Sequence, residues 1–260
     1  GVMVMRTFFL CALLVISAVA SESGRLAYKA SKYLNEGKFA LAYSSYEASL
    51  LASRKESNLL AEARILLSMA QIRIYSLDLD FADSLLVQVR TDVLDSNTKL
   101  ALLQARVSLE NTRENFSKAL ELSASASEEL LKKAPETLLA SFYSEKAYAL
   151  AAEGMLDQAE QALEMVRKQL SKKDGRYILA KAKVADISKS ANADSLYVEA
   201  EKISIEENRI YRTASILYSR ALLAERLGKS DMAKDFRKRS AHAFELMGLP
   251  KPQKRSLGEK

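Results

Sequence analysis

The sequence predicts an all-α protein, an α-solenoid of about six stacked antiparallel helical hairpins, and three observations carry that expectation. The first is a shortage of the residues that punctuate sheets. Only Gly37, Gly154, Gly175 and Gly228 lie between residues 25 and 247, and the prolines are Pro135, Pro250 and Pro252. A β-sandwich or α/β fold of this length needs more turn glycine and more β-branched strand. The second is composition. Ala, Leu, Glu, Lys, Ser and Arg dominate, most of them good helix formers, and a hydrophobic content of 48% suits a packed chain. The third is internal repetition: Gly37 and Gly154 are 117 residues apart and Gly154 and Gly228 are 74 apart, three and two periods of 37–39 residues.

Taken in order, the chain begins with a segment that reads as a signal peptide, residues 1–20. Arg6 precedes the apolar run 8–20, which falls short of the roughly 20 residues a spanning helix needs. Ala18-Val-Ala20 supplies the small-x-small pattern of a cleavage site, so cleavage is expected after Ala20. Position 21 is Ser where a lipoprotein signal needs Cys, and membrane association through this segment stays open. The one cysteine, Cys11, lies inside the run, so a cleaved chain holds no disulfide and depends on packing alone. Residues 21–248 are expected to form the helical repeat domain, and 249–260 a basic tail, extended or disordered.

The best-formed hairpin spans residues 136–172 with its hinge at Gly154. Phe142, Ala147, Leu150 and Ala151 recur at helical spacing before the glycine, and Leu156, Ala159, Leu163 and Val166 after it. A turn this short forces the two helices antiparallel. Residues 25–54 repeat the design, with Ala30 and Tyr33 before Gly37 and Phe39, Ala42, Tyr46 and Leu50 after it. A third copy places Ala221 and Ala224 before Gly228 and Ala233 after it. This order of small residue, glycine turn and small residue resembles the tetratricopeptide repeat. The departures are a period above the usual length of about 34 residues, an absence of tryptophan, and a repeat-end proline at Pro135 alone. Weaker hairpins are expected at 57–94, with a turn near Asp78–Asp80, at 97–132, with a turn at Asn111–Arg113, and at 175–206, with a turn at Ala191-Asn192. Twelve helices over about 25–247 follow. Ser57, Ser96, Asp174 and Ser230 are candidate N-caps, Pro135 suits a first helical turn, and Gly248 is placed to stop the last helix.

The net charge of +6 comes from 39 basic and 33 acidic residues that alternate along the chain, which describes a solvated helical surface and argues against nucleic-acid binding. No catalytic constellation is visible. His242 is the one histidine and reads as a partly buried helix residue; no glycine-rich phosphate loop is present. Glu128-Glu129 and Glu206-Glu207 are sequence neighbours and diverge on a helix, as do Ser144 and Lys146 at i,i+2. Asp78, Asp80 and Asp83 lack the glycine and distal glutamate of an EF-hand. No enzyme activity, cofactor or metal is therefore expected. In stacked repeats the first helices line the concave face. By register with the family it resembles, Tyr28, Arg73, Tyr148, Tyr218 and Arg226 should point into the groove, while Tyr33 and Tyr143 pack between repeats. The resemblance implies a non-enzymatic scaffold or adaptor that binds a peptide or protein partner. With the signal segment, that scaffold belongs to the bacterial cell envelope or periplasm. The alternative reading is a cell-wall or carbohydrate-associated binding protein using the same groove, and a pure oligomerisation module is a third.

Overall fold

The computed structural model describes residues 21–259, and among these it contains fourteen α-helices and no strand. The expected signal peptide, its cleavage site and Cys11 lie outside the described residues. Six hairpins follow one another: α1 (Glu22–Asn35) with α2 (Phe39–Lys55), α3 (Leu59–Tyr75) with α4 (Leu79–Val87), and α5 (Ser96–Thr112) with α6 (Phe116–Ala124). After the short α7 (Glu128–Lys133) come α8 (Glu136–Ala152) with α9 (Leu156–Gln169), α10 (Gly175–Ile187) with α11 (Ala193–Glu206), and α12 (Ile210–Arg226) with α13 (Ser230–Leu246). A last helix, α14 (Pro250–Ser256), closes the chain. The two helices of every hairpin pack on each other and each hairpin packs on the next, with the short α7 set against α5, so the protein is an all-α solenoid.

One backbone device makes the turns. At Gly37 and Gly154 the chain enters the left-handed region with φ of 74° and 78°, which a residue lacking Cβ adopts without strain. The next N–H then reaches back to the carbonyl five residues earlier: Lys38 N donates to Tyr33 O at 2.9 Å, and Met155 N to Leu150 O at 2.9 Å. The weaker hairpins use the same bond without glycine. Leu77, Glu114 and Lys189 hold the left-handed position at φ of 60°, 60° and 58°. Their turns therefore sit one or two residues from Asp78–Asp80, Asn111–Arg113 and Ala191-Asn192, because no glycine marks where the backbone reverses.

Small residues set the hairpin crossings. Ala30 and Ala42, Ala70 and Ala82, Ala147 and Ala159, and Ala221 and Ala233 are all buried, one on each helix of its pair. Without side-chain bulk the two backbones approach closely, and a larger residue there costs roughly 1–3 kcal/mol in overpacking. Leu156 departs from its expected packing role and is 46% exposed. Asp174 caps α10 as expected, accepting from Arg176 N at 2.9 Å. Elsewhere the cap shifts by one residue. Asn58 caps α3, while Ser57 is the left-handed residue before it at φ 54°. Asp95 caps α5, accepting from Thr98 N at 2.8 Å, which makes Ser96 its first helical residue. Lys229 precedes Ser230 at α13, and Pro135 takes the cap position of α8.

The expectation of an extended or disordered tail over 249–260 is corrected. Leu249 is buried, Pro250 opens α14 at a position where a missing N–H is harmless, and Pro252 and Ser256 are buried against α13. Ser256 Oγ lies 2.9 Å from Ser240 Oγ, which in turn donates to Ala214 O at 2.8 Å. Arg237 Nη1 donates to Ser256 O at 2.9 Å. Pro250 and Pro252 thus lie in the first turn of a helix.

The stack also closes on itself. Ala214, Phe244, Met247 and Leu249 belong to the same buried core as the first three hairpins. At this seam the Tyr211 ring lies 4.5 Å from Tyr75, 5.6 Å from Phe39 and 5.8 Å from Phe244, centroid to centroid. Tyr211 Oη donates to Tyr75 O at 3.2 Å, a carbonyl in the last turn of α3 that has no partner within the helix. Lys251 Nζ pairs with Asp78 at 2.5 Å beside it.

Candidate binding cavity

Closure turns the expected groove into a central cavity of about 970 Å³. Most of its wall comes from the first helices: Gln71 and Tyr75 of α3, Gln104, Ser108 and Asn111 of α5, Ser141, Ser144 and Tyr148 of α8, Lys183 and Asp186 of α10, and Tyr211, Ser215, Tyr218 and Arg226 of α12; Phe116, Tyr197 and Arg255 add to it from α6, α11 and α14. On α5 the polar residues Gln104, Ser108 and Asn111 recur every three to four positions, and they share one face for that reason.

Three of the five residues expected in the groove stand in this wall: Tyr148, Tyr218 and Arg226. The Tyr148 ring meets Phe116 edge to face at 5.7 Å. Burial, with the charges of Glu114, Glu145 and Asp186 adding to it, pushes its hydroxyl pKa up to about 12. Arg226 Nη2 donates to Asp186 Oδ1 at 3.0 Å, while Tyr197 Oη donates to Asp186 Oδ2 at 2.7 Å. Burial foremost, and then Asp186, raise the Tyr197 pKa. Tyr218 lies under the Arg255 guanidinium, 4.5 Å from its ring centre.

The other two stand elsewhere. Tyr28 is 43% exposed on α1, outside the wall, with Lys32 over its ring at 5.9 Å. Arg73 is held between the rings of Tyr43 and Phe81, 4.2 Å from each, and pairs with Asp78 at 3.2 Å. Aromatic partners on both sides draw it out of the inner face. His242 is exposed on α13.

The sequence reading missed the buried polar groups. Gln104 and Asn111 are about nineteen-twentieths buried, yet Gln104 Oε1 and Asn111 Oδ1 have no hydrogen-bond partner among the described residues. Asn111 Nδ2 is occupied, donating to Glu145 O at 2.9 Å and to its Oε2 at 2.8 Å. Arg209 Nε and Arg255 Nε, also in the wall, donate to nothing among these residues. The cavity thus offers acceptors on one side and cationic donors on another. Among the described residues no group of three or more His, Cys, Asp or Glu is placed to hold a metal ion.

No protein-family model matches the sequence, and no curated protein matches it. Among solved structures the chain is similar to a crystal structure of a tetratricopeptide repeat protein from Parabacteroides merdae ATCC 43184. The identity is 18% over 90% of this chain and 88% of that chain, with a TM-score of 0.43.

Proposed function

We propose that this protein is a non-enzymatic scaffold or adaptor of the bacterial cell envelope that holds a peptide segment of a partner protein in its central cavity. The observation that carries the reading is the pair of unpartnered amide oxygens, Gln104 Oε1 and Asn111 Oδ1, in the cavity wall. A buried acceptor left unmatched costs about 1–3 kcal/mol, and a ligand rich in N–H groups relieves it. A peptide backbone supplies such donors at regular intervals. The volume of about 970 Å³ lies at the upper end of ligand cavities and suits a short segment rather than a folded domain. Placement in the envelope, with membrane association through residues 1–20 left open, rests on the sequence of that segment. Among the described residues no helix is long and apolar enough to cross a membrane.

The second reading, a cell-wall or carbohydrate-associated protein, is favoured by the Ser108, Ser141 and Ser144 hydroxyls in the same wall. Affinity selection with the full chain distinguishes the two, offering capped random peptides and soluble peptidoglycan fragments side by side. Peptide retention that falls in a Gln104→Leu, Asn111→Leu variant of unchanged helicity supports the proposal. Retention of glycan alone overturns it.

A further inference from the structure

Three arginines meet where cations are least welcome. Arg176 is the second residue of α10, Arg209 precedes the first residue of α12, and Arg212 is the third residue of α12. The N-terminal end of a helix carries partial positive charge and favours anions. All three side chains line the cavity. Gly175 makes room for the group, since a Cβ there would stand 3.5 Å from Arg212 Nη1 and 2.9 Å from Ile203 Cγ2.

The acids nearby leave the group undercompensated. Asp174 engages Arg176 through two bonds of 2.9 and 2.8 Å. Glu207 approaches Arg212 only to 3.7 Å and is half exposed. Arg209 keeps its buried Nε without a partner among the described residues. Burial lowers the pKa of both Arg209 and Arg212; Glu207 offsets part of this, and the Arg176 charge adds to it. Cations gathered in this way are stabilised by a bound anion, and guanidinium groups suit the planar forks of carboxylate and phosphate.

We infer that Arg176, Arg209 and Arg212 form an anion-receiving pole of the cavity, which takes an acidic side chain of the bound segment. The identity of the ligand rests on the peptide reading above; the anion site does not. Two pools of peptides, acetylated and amidated so that only side chains carry charge, separate the two ideas when titrated against the full chain. One pool fixes Glu at a position where the other fixes Gln. The Glu pool should bind about tenfold tighter. Arg209→Gln should erase that preference and Arg209→Lys should keep most of it, with melting temperatures recorded for both variants.

Equal binding of the pools by the wild-type chain overturns the anion pole and leaves the peptide reading standing. Binding of neither pool overturns the peptide reading, and inorganic phosphate then decides the pole. A melting temperature that phosphate raises in the wild-type chain but not in Arg209→Gln, at constant ionic strength, supports it. An equal response in the two overturns it.

Discussion

Replacing Tyr211 with alanine should open the seam while leaving the hairpins folded. The substitution removes three ring contacts, at 4.5, 5.6 and 5.8 Å, and one hydroxyl-to-carbonyl bond of 3.2 Å. Aromatic pairs contribute about 0.5–1.5 kcal/mol each beyond burial, and a neutral hydrogen bond about 0.5–1.5 kcal/mol. Because part of the ring borders the cavity, the loss should fall at about 2–4 kcal/mol, near the lower end for deleting a buried aromatic side chain. The neighbouring Lys251–Asp78 pair is a weaker tie. Lys251 is 60% exposed, and pairs of that kind contribute about 0–1 kcal/mol. Chemical denaturation and small-angle scattering should therefore rank three variants. Tyr211→Ala loses most stability and expands the radius of gyration. Tyr211→Phe loses about 1 kcal/mol and stays compact. Lys251→Met changes little. A Tyr211→Ala protein as compact and stable as wild type, or a larger loss in Lys251→Met, would refute the assignment of closure to the aromatic cluster.

Four further outcomes are expected. Gly154→Ala should cost about 1–2 kcal/mol through its φ of 78° alone, since nothing lies within 4 Å of the added carbon, and Gly154→Asn should recover part of that. Gly175→Ala should instead cost about 1–3 kcal/mol through contact with Ile203, and Gly175→Asn should be no better; denaturant midpoints separate the two patterns. Ser240→Ala removes the bonds to Ala214 O and Ser256 Oγ, but Ser256 Oγ keeps Pro252 O as a partner, so the loss should be about 0.5–1.5 kcal/mol, measured by thermal unfolding.

The last outcome concerns pH. Burial raises the Asp174 pKa, but hydrogen bonds from the Arg176 side chain and backbone N–H outweigh it and hold the carboxyl below the aspartate range. Its stabilisation is complete above about pH 4 and lost as pH falls through the lowered value, so Asp174→Asn should flatten the acid limb of stability. At the other end, burial pushes the Tyr148 and Tyr211 hydroxyls up to about 12, so stability should decline between about pH 10 and pH 12. Phenolate absorbance should show these tyrosines ionising late, and an early single transition for all eleven tyrosines would contradict the burial.

The architecture was legible because helix periodicity and glycine turns are local signals. Ala147, Gly154 and Ala159 declare a hairpin within a dozen residues, and Gly37 and Gly228 repeat the declaration. Closure was not legible. Tyr75 and Tyr211 meet across 136 residues, and no local pattern relates them. The tail failed for a related reason: Pro250 and the surrounding lysines look like a disordered terminus until Leu249 and Ser256 are seen to have somewhere to pack. Of the residues that inner-face register points into the groove, Tyr148, Tyr218 and Arg226 line the cavity. Arg73 instead lies between rings that come from different helices, which local register does not reveal. The i, i+4, i+7 spacing of Gln104, Ser108 and Asn111 was a usable signal for the wall, because it puts three polar side chains on one face of α5. The arginine pole lacked even that, since Arg176 is far in sequence from Arg209 and Arg212.

The turns carry a consequence for how such a chain diverges. Among the described residues five left-handed turns use glycine, and five use Ser57, Leu77, Glu114, Lys189 and Asn208. The bond that closes them joins backbone atoms, so it survives whatever side chain occupies the position. Exchanging one turn residue for another shifts stability by about 1–2 kcal/mol and leaves the geometry in place. A lineage can therefore rewrite its turn letters one at a time while each hairpin keeps its shape, until hydrogen-bond geometry is a better record of kinship than sequence.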